Sequence, residues 1–122
     1  LFGRRDKRIG REDMMNAVKQ DVEKLVQKEL ESANQRFPMF RSDHEGAAVI
    51  CEEIEEAEHE LKEMQFEFKE MWRSIKLNAG GTAFCDAVLK RSLNLACEAI
   101  QVAAMAQKFI DSQKEREKSE GN

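Results

Sequence analysis

The residues in this chain best suited to chemistry are glutamates, and they are concentrated in one stretch. Between Asp43 and Glu70 lie eleven acidic side chains against Lys62 and Lys69, while the whole chain carries a formal charge of only −4. A run of this kind is commonly just the solvated face of a helix. Position on the helix distinguishes some members from the rest. With about 100° per residue and Ile50 at the centre of the apolar seam, Glu53 falls about 60° to one side, Glu60 about 80° and Glu56 about 120°. Glu52 and Glu55 point well away. Carboxylates crowded on the flank of a packed seam repel one another unless protons or a cation intervene. A few hard oxygen donors, with other coordination positions left to water and phosphate, are what a magnesium ion requires.

Glu98 is the only acidic residue between Asp86 and Asp111, and its neighbours are Leu95, Ala96, Cys97, Ala99, Ile100 and Val102. An unpaired carboxylate in such surroundings is costly. The pattern therefore predicts either that Glu98 faces Glu53 and Glu56 across an antiparallel helix pair, or that it sits at a bundle edge, tied to Arg91 or a lysine. Asn94 and Gln101, one turn to either side, share its flank. The basic groups near these positions are Lys90, Arg91 and Lys108. Trp72 and the phenylalanines are able to stack a base, but at seam spacing they read as core. Glu56 and His59 also spell the ExxH pair of carboxylate-bridged di-iron bundles. His59, however, lies about 180° from the seam centre, and the third helix offers no second ExxH.

The elements that must hold these residues are helices. The first is predicted at 12–36, with Val18, Val22, Leu25 and Ala33 as its apolar stripe. It ends before Pro38, which disfavours helical geometry in the residue ahead of it, and Phe37, Met39 and Phe40 are expected to anchor the following loop. Ser42 with Glu45 forms a capping box that starts the second helix. Ala47, Ile50, Ile54, Ala57, Leu61, Met64, Phe68, Met71 and Ile75 follow at steps of three and four, which predicts one helix over 43–78, roughly 50 Å long. Asn78, Ala79, Gly80 and Gly81 make the turn, and Thr82 is a candidate cap for a third helix over 83–113. That helix is apolar around much of its circumference and should be central. The last residues, 114–122, are expected to fray.

At 122 residues the chain forms one domain, and a domain this small leaves much of its surface uncovered. The fold class predicted is all-α, a long-helix bundle of three main helices per chain, completed as a homodimer or homotetramer. Cys51, Cys85 and Cys97 lack metal-site spacing and read as buried free thiols. No apolar run is long enough to cross a bilayer and no secretion signal is evident, so no membrane association and a cytoplasmic location are expected. The chain opens on Leu1, with Met14 and Met15 further in, so residues 1–11 carry little weight. They are read as a disordered basic tail, and Arg4, Arg5, Lys7, Arg8 and Arg11 without interleaved aromatics do not indicate nucleic-acid binding.

The run HEGAAVICEEIEEAEHEL, in which Glu52, Glu53 and Glu56 form EExxE, followed some 40 residues later by LACEAIQVAAMAQKFI, resembles the MazG-like all-alpha nucleotide pyrophosphohydrolases, especially small phage-type members. The resemblance extends over roughly residues 37–112. It implies a magnesium-dependent enzyme that cleaves a nucleoside triphosphate between the α and β phosphates, releasing a monophosphate and pyrophosphate. Carried over, Glu53, Glu56 and Glu98 are the metal ligands, and Glu52 or Glu56 takes a proton from the attacking water. Glu60, Asn94 and Gln101 are possible metal or substrate contacts, and Lys90 and Arg91 are phosphate contacts. The departure is at Gln101, where the family has an aspartate; an amide is a weaker ligand and no anionic base. The rival expectation is a non-catalytic helical-bundle interaction or structural protein of phage or mobile-element origin. An enzyme needs Glu53, Glu56 and Glu98 to converge, and a scaffold does not.

Overall fold

The structure, a computed structural model, describes residues 11–121, with side chains from residue 18 onward. The stretch expected to be a basic tail therefore lies outside the described residues, apart from Arg11. Three helices follow in order: α1 (Arg11–Arg36), α2 (Asp43–Lys76) and α3 (Thr82–Glu120). The α2–α3 pair is a long antiparallel hairpin, and α1 packs on α3 without approaching α2 closely among the described residues. α3 is thus the central element, as its composition predicts. No helix among the described residues is long and apolar enough to cross a membrane.

Local chemistry accounts for the boundaries. Ser42 accepts a hydrogen bond from the Glu45 amide at 3.1 Å, the forward half of the capping box. The return half is displaced by one residue, since the Glu45 carboxylate accepts from the Arg41 amide at 3.4 Å. At the other end of α2, Asn78 (φ 57°) and Gly80 (φ 81°) take left-handed conformations, and the Ser74 hydroxyl donates to the Gly80 carbonyl. The cap of α3 is Gly81, without a side-chain hydrogen bond. Thr82 is the first helical residue and not the cap expected of it.

α3 also runs seven residues past its expected end at 113. The reason is Arg116, which donates to the Phe40 carbonyl at 2.8 Å and pairs with Asp43. This anchor ties the polar end of α3 to the α1–α2 loop, an interaction that composition alone does not reveal. Inside it, the Phe40 amide donates to the Ser112 hydroxyl at 2.9 Å. Phe40 is buried, Met39 half-buried and Phe37 60% exposed, so of the three expected anchors Phe40 carries the loop. The buried core is small and sits at this end of the hairpin: Leu30, Ala33, Phe40 and Ala104, with Gly46, Lys108 and Ser112. Gly46 is required by close approach, because a Cβ there would lie 2.5 Å from the Phe109 ring.

The face of α2 turned to α3 is rotated from the apolar seam toward the glutamates. Val49, Glu53, Ala57, Glu60, Met64, Glu67 and Met71 are half-buried, while Ile54, Leu61, Phe68 and Ile75, one heptad apart, are exposed. Trp72 and Phe66, expected in the core, are also exposed, as are Leu89 and Leu93 on α3. The three cysteines are exposed free thiols rather than buried ones. Cys51 contacts the Glu55 carboxylate at 3.6 Å, and that negative charge pushes its thiol up, away from the reactive thiolate.

Candidate metal centre

Glu53 and Glu56 stand three residues apart on α2, so their side chains are neighbours on one helix surface. Glu98 approaches from antiparallel α3. The three offer carboxylate oxygens that all lie within 4.8 Å of one another. Glu53 and Glu98 are half-buried and Glu56 is exposed, which leaves one side of the group open to solvent. The expected convergence across an antiparallel pair is therefore present.

Crowding shows in the protonation equilibria. Burial, then the charges of Glu56, Glu98, Glu52 and Glu29, push the Glu53 carboxyl above the ordinary glutamate range. Glu98 is raised by burial, by a hydrogen bond shared with Glu56, and by the charges of Glu56 and Glu60. Gln101 relieves part of this. In the amide orientation that satisfies its surroundings, its nitrogen donates to Glu53 Oε2 at 2.9 Å and to Glu98 Oε2 at 3.2 Å. Three hard oxygen donors, close together and short of positive charge, suit a divalent cation such as magnesium.

The remaining predicted residues divide. Glu60 is committed elsewhere: Arg91 lies 3.3 Å from it and 3.8 Å from Glu63. Arg91 is thus neither a partner of Glu98 nor a free phosphate contact, and it neutralises part of the acidic face beside the trio. Glu52 is exposed and lines a shallow depression with Glu55, Glu56, His59, Glu60 and Glu98. His59 shares that depression without joining the convergent group. Asn94 and Lys90 are exposed.

Two features escaped the sequence. Glu29 of α1 is half-buried, and its charge reaches Glu53; nothing in the α1 pattern indicates which glutamate turns toward α2. The second is a cavity of about 510 Å³ that shares Glu53 and Gln101 with the trio and continues past Met105 to Lys108, roofed by Phe37, Pro38 and Phe40. Lys108 is only 2% exposed. Its ammonium stands 5.1 Å from the centre of the Phe40 ring, and burial pushes it below the ordinary lysine range while Glu45 opposes that shift.

Comparison of the chain with models of known families, with curated proteins and with solved structures finds no match.

Proposed function

We propose that this protein is a magnesium-dependent hydrolase of the MazG-like kind, converting a nucleoside triphosphate to its monophosphate and pyrophosphate. The observation that supports this reading is the meeting of Glu53, Glu56 and Glu98 within 4.8 Å, from two helices that have no packing need to bring three carboxylates together. Their mutual repulsion is a standing cost, and a bound cation removes it. Magnesium held there would supply charge neutralisation of the triphosphate and orientation of the attacking water. Glu53, Glu56 and Glu98 would hold the metal, Glu53 and Glu98 being the more sheltered pair. Glu56, at the open edge, and Glu52 beside it are the carboxylates placed to accept the water's proton.

A second reading has its own support. Gln101 cross-links Glu53 and Glu98, and an amide in that position lets the cluster persist without metal. On this reading the protein is a non-catalytic helical-bundle interaction or structural protein. In either case we infer a homodimer or homotetramer, because Ile54, Leu61, Phe68 and Ile75 form an exposed apolar ladder along α2 of the sort that helical bundles cover.

The test is pyrophosphate release from canonical and modified nucleoside triphosphates, with and without magnesium, for the native chain and for Glu53→Gln/Glu98→Gln. Magnesium-dependent release that the double variant loses establishes the hydrolase. Absence of turnover on every nucleotide, together with no magnesium-dependent thermal shift, selects the scaffold.

A further inference from the structure

The cavity beside the trio has a chemistry that metal binding does not explain. Gln101, Met105 and Lys108 stand at i, i+4 and i+7 on α3, one stripe along the cavity wall. Lys108 is therefore about 10 Å along the helix from Gln101. That separation is comparable with the distance from the α-phosphate of a nucleotide to the far edge of its base. The roof of Phe37, Pro38 and Phe40 offers flat apolar surface, and a volume of about 510 Å³ is within the usual range for small-molecule pockets.

Electrostatics argue against a phosphate at the Lys108 end. Glu29, Glu45 and Glu53 also line the cavity, so a dianion placed there would meet carboxylates as well as the lysine. Arg41 is engaged with Glu45, and Arg36 with the Ser32 carbonyl. Lys108 is different. Among the described residues its ammonium has no hydrogen-bonding or ion-pairing partner; it stands over the face of Phe40 and within reach of the Glu45 charge. The Lys108 stem is buried, and its ammonium is a donor exposed to the cavity and free of a protein acceptor, beside the apolar roof of Phe37, Pro38 and Phe40, a combination suited to a neutral heterocycle with a carbonyl edge.

We propose that this cavity is a base pocket and that Lys108 is its specificity-determining residue, donating to a ring carbonyl oxygen, which uracil, cytosine and guanine carry and adenine lacks, so that adenine is disfavoured. The inference rests on the nucleotide reading above and assigns the class of base. Phe40 holds the pocket shut from one side, fixed in place by Ser112 and Arg116 at its amide and carbonyl.

The experiment is calorimetric titration of the full chain, in magnesium, with uridine, guanosine and adenosine 5′-monophosphates. Uridine and guanosine monophosphates are expected to bind about tenfold or more tighter than adenosine monophosphate, the scale of one hydrogen bond to a charged donor. Lys108→Met, close in shape, should reduce that ratio to about twofold or less, whereas Phe37→Ala at the exposed rim should weaken all three alike and keep the ratio. Equal affinities in the native chain, no binding of any of the three, or a ratio unchanged in Lys108→Met overturns the proposal. The native ratio is read without any variant, so the first criterion holds even if Lys108→Met fails to fold. Binding of monophosphates is also independent of turnover. A chain that releases pyrophosphate without base selectivity loses the base pocket alone, and a selective chain without turnover loses the hydrolase alone.

Discussion

The Gln101 side-chain amide donates to Glu53 Oε2 at 2.9 Å across the α2–α3 interface, linking the two helices at the centre of the acidic trio. On the proposed MazG-like reading, an aspartate is expected at this position. Replacing it by the acid, Gln101→Asp, removes a donor and adds a fourth carboxylate to a group already short of positive charge. The expected outcome is a metal-free protein with a lower melting temperature and, on the proposed hydrolase reading, an affinity for magnesium raised about tenfold with faster pyrophosphate release. Melting curves with and without magnesium check it; a variant whose stability and magnesium response match the native chain would remove Gln101 from the site.

Protonation gives a second prediction. The Glu53 and Glu98 carboxyls are both raised in the folded protein, each chiefly by burial, so in the pH range just above the ordinary glutamate value of about 4.3 the folded state binds more protons than the unfolded state. Stability therefore falls as pH rises through that range, and is fuller below it. Without metal, the contribution of these two groups makes the native chain less stable at neutral pH than near pH 5. Glu53→Gln/Glu98→Gln should flatten this dependence. Urea unfolding at a series of pH values, in chelator, reads the effect, and a native profile identical to that of the double variant contradicts it.

Ser112 is 1% exposed and accepts from the Phe40 amide. Removing its hydroxyl leaves a buried N–H without a partner, which costs about 1–3 kcal/mol. Ser112→Ala should lose stability in that range by chemical denaturation, and Arg116→Ala should shorten the protected part of α3 in hydrogen exchange. A loss below about 0.5 kcal/mol for Ser112→Ala, the scale of an ordinary surface change, would mean that the loop is held by Phe40 packing alone.

The exposed ladder on α2 predicts self-association. Sedimentation velocity should find the native chain as a dimer or tetramer, and Ile54→Glu/Phe68→Glu as a folded monomer, since a charge on each of two heptad positions is incompatible with a covered seam. A monomeric native chain at high concentration rejects the assembly.

The helices were legible because their signals are local. The Ser42 cap, the Pro38 break and the Gly80 turn each act within a few residues, whereas the spacing of Glu53, Glu56 and Glu98 left two readings open, their meeting across the hairpin or Glu98 at a bundle edge. What escaped depends on rotation and on distant partners. The seam periodicity locates an apolar stripe on α2 but not which flank faces α3, and the packed face proved to be the one containing Glu53, Glu60 and Glu67. The persistence of α3 to Glu120 depends on Arg116 meeting Asp43 and Phe40, more than 70 residues away in sequence. The exposure of Cys51 follows from the same rotation, and that of Cys85 and Cys97 on α3 from the small core.

The antiparallel hairpin also ranks its contacts by the length of chain that each one closes. Working outward from the turn at Gly80, the chain brings together Arg91 with Glu60, then Glu98 and Gln101 with Glu53, then Phe109 with Gly46, and last Arg116 with Asp43. Each rung closes a longer loop than the one before, and closure entropy grows with loop length. The contacts of the acidic trio thus close a shorter loop than those that fix the roof of the lysine-bearing cavity.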